Sequence, residues 1–323
     1  MFDAELNPSK AFVFDVATAA FQGRREQQED SLISSFPVGQ DAGFAIVADG
    51  IGGHVAGHLA SAMVTTEVFG HLKMQEANLA SGVMNIPFAL REAAEQARKR
   101  LRAHVERHPD TKGMGSTLLV PVISGDRLSW ISIGDSPLYL FRNGALRQLN
   151  KDHSMSPQID IMVKTGALSE EAGKDHPDRN LLTSVIDGDE IATIDCPTTP
   201  ILLKDGDILI ATTDGLQSLS NEAIAAILMQ GASGQSMDLV HAFLEAVKKH
   251  DDPDQDNTSF AVIKAVATQK APEVMDLDDL PVLATADGAA VPAEAPVAAA
   301  PPPEPEKDER KVYYYRGQKY YRD

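Results

Sequence analysis

From Ala11 to Thr18 the chain places Phe12, Phe14 and Val16 on one face, an alternation that predicts a strand. A polar, charged turn follows, Gly23-Arg-Arg-Glu-Gln-Gln-Glu-Asp30, and then a short apolar strand from Leu32. Phe44 to Ala48 reads as a buried strand. It turns at Asp49-Gly50, passes Gly52-Gly53 and enters a helix near Val55, whose face is marked by Leu59, Met63, Thr66 and Phe69. A second helix is expected from about Pro87 to Glu106, with Leu90, Ala94, Ala97, Leu101 and Val105 recurring at helical spacing and Pro87 suited to its first turn.

Strands then come in succession at Thr117–Ile123, Leu128–Ile133, Pro137–Arg142 and Leu146–Leu149. Gly125-Asp126 and Asn143-Gly144 between them are hairpin signals. Consecutive hairpins imply antiparallel sheets. Lys151 to Ile186 is polar and irregular with one short helix, Ile159–Lys164, a long excursion of the kind that often forms a functional lid. Strands resume at Ile201–Leu203 and Ile208–Thr212, two helices follow near Glu222–Met229 and Met237–His250, and a strand at Ser259–Ala265 closes the globular part. Helix pairs around hairpin-linked strands suggest an α+β layered sandwich.

The net charge of −18 argues against non-specific nucleic-acid binding, which needs Lys and Arg to neutralise phosphates. Cys196 is the single cysteine, so no disulfide can form within the chain and a reducing compartment fits best. No basic segment followed by a long apolar run marks a signal peptide, and no apolar run is long enough to span a bilayer. The expected location is the cytoplasm. Residues 271–306 are rich in Ala, Pro and acids and read as an extended, disordered linker. Lys307–Asp323 differs again, with five tyrosines and six Lys/Arg against three acids.

Asp49 shares its setting with other acids. Glu29-Asp30 opens a strand, Asp135 lies between two hairpin strands, Asp214 follows Ile208-Leu-Ile-Ala-Thr-Thr, and Asp256 precedes the last strand. Each stands at a strand end, and any one of them could be an ordinary turn residue. Together they converge on one sheet edge, where carboxylates repel unless cations neutralise them. A binuclear or trinuclear Mg²⁺ or Mn²⁺ site is the economical answer. A neighbouring arginine would clamp a phosphate bidentately, and both Arg24 and Arg25 are available.

Arg25-Glu-Gln-Gln-Glu-Asp30, Asp49-Gly-Ile-Gly-Gly-His, Gly113-Met-Gly-Ser-Thr-Leu, Gly134-Asp-Ser, Thr213-Asp-Gly-Leu and Asp256-Asn-Thr-Ser occur in one order. In this, residues 10–265 resemble the metal-dependent protein phosphatase 2C family, particularly its bacterial members. The resemblance implies a four-layer α-β-β-α sandwich of two antiparallel sheets, with a site for two Mn²⁺ or Mg²⁺ ions at one end. It implies that Asp49 bridges the ions, that the Gly50 carbonyl serves the second ion with Glu29 or Asp30 beside it, and that Asp214 and Asp256 complete the first. Asp135 with Asp214 would hold a weaker third ion. Arg25, five residues before Asp30, would bind the substrate phosphate, and Ser156–Asn180 would form the variable flap. A metal-activated water would hydrolyse phosphoserine or phosphothreonine, counteracting a serine/threonine kinase.

Two departures stand out. Ile51 occupies the position where eukaryotic members often carry a candidate acid histidine, and Pro137 replaces the usual arginine after Gly-Asp-Ser. His54 is expected to be structural at the helix start, His58 has no assigned role, and His153 is expected to be a hydrogen-bonded loop residue rather than a ligand. Cys196 reads as a small buried residue. No glycine-rich loop followed by lysine supports a nucleotide-driven phosphotransferase. The domain reading is 1–267 phosphatase, 268–306 linker and 307–323 a basic, tyrosine-rich interaction segment. The alternative is a non-catalytic phosphoprotein-binding or scaffold protein acting through that segment, but such a protein should have lost metal carboxylates, and none is missing.

Overall fold

The computed structural model describes residues 12–38, 40–52 and 55–267, and the backbone of 311–315 and 318–322. The expected 268–306 linker and His54 lie outside the described residues. Ten strands build two antiparallel sheets. The first runs β1 (Phe12–Phe21), β12 (Thr258–Ala267), β11 (Ile208–Thr212), β8 (Leu138–Arg142) and β9 (Ala145–Gln148). The second runs β10 (Ile201–Leu202), β7 (Arg127–Ile133), β6 (Leu118–Ser124), β3 (Ala42–Ala48) and β2 (Ser31–Ser35). A small ladder pairs β4 (Gly50–Ile51) with β5 (Gly115–Ser116).

Alternation along the strands builds three packed layers. Leu209, Ala211, Ala261 and Ile263 of the first sheet meet Ala45, Val47, Leu119 and Trp130 of the second. Their neighbours on the same strands, Ile208, Ile210, Phe260 and Val262, face outward onto α6 (Asn221–Gly231) and α7 (Ser236–His250). Phe44, Ile46, Val120 and Ile131 face outward from the second sheet onto α1 (Val55–Lys73) and α3 (Ile86–Arg107). The order is helices, sheet, sheet, helices, as the sequence leads one to expect. Asn143 and Gly144 both have positive φ, 51° and 79°, which is the backbone that the β8–β9 hairpin turn requires.

Two details differ from expectation. On α1 the deeply buried positions are Ala60, Val64, Val68 and Leu72, while Thr66 is exposed and Leu59, Met63 and Phe69 only flank the core. The helix packs against β3 on one side and α3 on another. Small and apolar residues are therefore needed around most of its circumference, and the one-sided stripe is blurred. The excursion after Lys151 holds two helices rather than one, α4 (Ser156–Lys164) and α5 (Glu170–Lys174); the second is capped by Ser169, which accepts from Ala172 N at 3.1 Å. A short α2 (Glu76–Ala80) joins α1 to α3.

The carboxy-terminal segment contains a separate hairpin, β13 (Lys311–Tyr315) and β14 (Gln318–Arg322), with Tyr313 opposite Tyr320. Among the described residues no helix is long and apolar enough to cross a membrane.

Phe260 is fully buried and meets Phe243 of α7 edge-on, with ring centroids 5.8 Å apart. Phe260→Ala is expected to cost about 3–5 kcal/mol in denaturant unfolding. A loss below about 1 kcal/mol would show that this helix layer does not close the core as described.

Candidate active site

The strand ends explain why the acids meet. Asp49 follows β3, Asp135 follows β7, Asp214 follows β11, Asp256 precedes β12, and the Arg25–Asp30 stretch bridges β1 and β2 from one sheet to the other. All lie at one end of the sandwich. Arg25, Asp135, Asp214 and Asp256 line a cleft of about 1030 Å³, together with Asp152 and with Ser156, Asp160, Lys164 and Arg179 of the α4–α5 excursion.

Asp49 is the meeting point. Its carboxyl is held well above the ordinary carboxylate range, first by burial and then by repulsion from Asp30, Asp214, Asp135 and Asp256. Asp30 is buried and pushed up to about 7, mainly by desolvation, while the Thr213 hydroxyl, donating at 2.9 Å, works in the opposite direction. Asp135 is pushed up to about 8 by burial and by Asp214 and Asp152. Asp214 is pushed up to about 6 by burial and Asp256, with the Arg25 charge opposing. One oxygen each of Asp30 and Asp214 is buried with no hydrogen-bond partner. Buried acceptors are rarely left so.

The backbone around Asp49 is pinned. Its N–H donates to Thr117 Oγ1 at 2.9 Å, and Thr117 N–H donates to the Asp49 carbonyl at 2.9 Å. Thr117 Oγ1 also meets Ser136 Oγ at 3.0 Å, which ties the Asp49 turn to the Asp135 turn. Gly57 of α1 leaves room for a second group of oxygens. A Cβ there would stand 2.9 Å from both the Gly50 carbonyl oxygen and Glu29 Oε2. Glu29 is thus the acid placed beside Gly50, whereas Asp30 turns inward towards Thr213. The two arginines separate as well. Arg25 Nη2 pairs with Asp256 at 2.6 Å on the cleft, while Arg24 Nη2 pairs with the exposed Asp251 at 2.5 Å.

The donor set of carboxylates and a backbone carbonyl is that of a hard divalent cation, and the orphaned oxygens and the Gly57 cradle fit such ions. Among the described residues no three His, Cys, Asp or Glu side chains stand close enough to hold one ion between them. Asp152 was not singled out by its sequence context, a polar loop without glycine. Its proximity to Asp135 arises only when the loop folds back against β7, where His153 N–H donates to the Gly134 carbonyl at 3.1 Å. His153 itself is buried, accepts from Gly134 N at Nδ1 (3.3 Å), and is held below the ordinary histidine range by burial. Cys196 packs in the core beside α3, its thiol pushed up by burial.

The fold and the sequence both have known relatives. A crystal structure of the catalytic domain of the serine/threonine protein phosphatase PstP in complex with two manganese ions superposes with a TM-score of 0.62 at 27% identity, covering 79% of this chain and 99% of that one. The two-sheet sandwich is therefore that of the metal-binding bacterial serine/threonine phosphatases. In sequence, PstP of Mycobacterium tuberculosis is 31% identical over 71% of this chain and 41% of its own length. The serine/threonine phosphatase stp of Listeria monocytogenes is 32% identical over 55% of this chain and 68% of its own. Residues 23–252 match the family model Protein phosphatase 2C, and the chain belongs to that family. The match spans less than half the length of the mycobacterial relative.

The raised carboxyls set a pH dependence. In the metal-free protein they hold protons that the unfolded chain has released above the ordinary value of 3.8. The native state therefore binds more protons over this range, and stability falls as pH rises from about 4 to about 8. The melting temperature of the metal-free protein is expected to drop between pH 5 and pH 8, and Mn²⁺ is expected to restore more of it at pH 8 than at pH 6. Thermal scans across that range with and without Mn²⁺ check this, and a Mn²⁺ effect independent of pH would contradict it.

Proposed function

We propose that the protein is a Mn²⁺- or Mg²⁺-dependent phosphatase acting on phosphoserine and phosphothreonine of proteins. The observation that carries this reading is the convergence on Asp49 of aspartates from both sheets, beside a cleft that presents Arg25, in a chain of this family. Asp49 would be shared by two ions. Asp214 and Asp256 would complete the first, the Gly50 carbonyl and Glu29 the second, and Asp135 with Asp214 a weaker third. Bound there, the ions would supply Lewis acidity and an activated water for phosphomonoester hydrolysis.

The chain's own residues do the rest. Arg25 would orient the phosphate, its guanidinium exchanging Asp256 for substrate oxygens. Asp30 is buried, its Oδ2 accepts from the Thr213 hydroxyl at 2.9 Å and its Oδ1 has no hydrogen-bond partner, so it would stand beside Glu29 as the second acid of that half of the site. Ile51 lies in the β4–β5 ladder and can donate no proton, so the leaving oxygen would take its proton elsewhere in the site. The α4–α5 excursion would act as the flap that meets the polypeptide around the phosphorylated residue. A serine/threonine kinase would be the opposing partner, in the cytoplasm, and the tyrosine-rich 307–323 segment would recruit a further, acidic protein.

Asp49→Ala and Asp256→Ala are each expected to abolish hydrolysis of a phosphopeptide in Mn²⁺ while leaving the protein folded by circular dichroism. Activity near the parent level in either variant would refute the reading. Arg25→Ala is expected to raise KM by the loss of a charged bidentate contact worth about 1.5–3 kcal/mol. Arg24→Ala, whose partner is Asp251 outside the cleft, should leave KM unchanged in the same steady-state assay.

A further inference from the structure

We propose that Asn257 is a positioning residue that sets the spacing between the two halves of the site and aims Arg25 into the cleft. This rests on the reading of the cleft as a metal-dependent phosphatase centre. Asn257 directly follows Asp256 and directly precedes β12 of the first sheet. The loop from Gln22 to Asp30 leaves β1 of that sheet and enters β2 of the second. Asn257 is buried at the junction. Its Oδ1 accepts the Glu29 N–H at 2.6 Å, and its Nδ2 donates to the Gln22 carbonyl at 2.7 Å and to the Gln27 carbonyl at 3.0 Å.

One amide thus holds three points of a single loop, with its oxygen and both of its N–H groups engaged. The attachments bracket Arg25. The loop is seated further by the Arg24 N–H, which donates to the Gln255 carbonyl at 2.8 Å. Gly23 lies so close that a Cβ would stand 2.4 Å from the Asp256 carbonyl oxygen.

The consequence follows from what each end carries. Asp256 is Asn257's neighbour on one side of the junction, and Glu29 and Asp30 are held at the other. Asp256 also receives the Arg25 guanidinium. Releasing the loop would therefore move Arg25 and Glu29 relative to Asp256 and Asp214, although every side chain that touches substrate or ion remains. Asn257 is buried, so its loss also costs stability, and the site effect has to be read against a control for stability alone. No isosteric replacement can do the same work: aspartate would keep the acceptor for Glu29 but turn two attractive contacts with carbonyls into repulsive ones.

The test uses the full chain and Asn257→Ser, with Asn257→Ala, which adds no charge to the cluster, as a second variant. Asp15→Ala serves as a control for loss of stability alone, because Asp15 bonds Ser236 at the start of α7, away from the cleft. Calorimetric titration with Mn²⁺, phosphopeptide kinetics and hydrogen exchange of the metal-free protein are measured on each. Asn257→Ser is expected to weaken Mn²⁺ binding by about 10–100-fold, as loss of an outer support does at metal sites. KM should rise about fivefold or more, with kcat at saturating Mn²⁺ within about threefold of the parent. The Glu29 amide should lose its protection from exchange before any metal is added. Parent values for Mn²⁺ affinity and KM, or the same shifts in Asp15→Ala, would overturn the role. A parent protein that neither binds Mn²⁺ nor hydrolyses the peptide would overturn the underlying phosphatase reading instead, and the positioning role with it.

Discussion

Repulsion among carboxylates is the constraint on which the rest of this structure turns. Asp30, Asp49, Asp135, Asp214 and Asp256 come from both sheets and meet at one end of the sandwich, and the four besides Asp49 all raise its pKa. Burial makes the repulsion worse, because low dielectric strengthens like-charge interactions and removes the water that would screen them. The apolar layer between the sheets, from Leu119 and Trp130 to Leu209 and Ile263, resists that push. Hydrogen bonds at the tip resist it locally: Thr117 on the Asp49 turn, Thr213 on Asp30, Asn257 on Glu29. A protein keeps such a cluster where cations or protons can neutralise it.

Much of the scaffold could be read from local pattern. Strands with alternating or continuous apolar residues, the Asn143-Gly144 turn and the stripe on α3 all follow from short-range rules. The failures have a common physical origin. The spacing of Leu59, Met63, Thr66 and Phe69 predicts one face of α1, yet Val64, Val68 and Leu72 carry the burial, because a helix covered on several sides shows no clean stripe. The short α5 depends on a Ser169 cap and on five residues that carry little periodicity.

The candidate site was legible in part. The aspartates and Arg25 could be singled out because acids at strand ends beside glycine have few structural reasons to be there. Distinguishing Glu29 from Asp30 beside Gly50 needs the folded chain, since neighbours in sequence point to different surroundings. Asp152 and Asn257 became visible only when loops from distant parts of the sequence were brought together. Their chemistry lies in where the loops fold and in which backbone atoms they meet, and no spacing rule records that.

Anomalous diffraction from crystals of the protein grown with Mn²⁺ tests the central claim most directly. The account requires two manganese peaks at the cleft end, both within coordination distance of the Asp49 carboxylate, one reaching Asp214 and Asp256 and the other the Gly50 carbonyl. Manganese bound elsewhere, or a cleft end without it, would contradict the claim that these aspartates are gathered to hold metal.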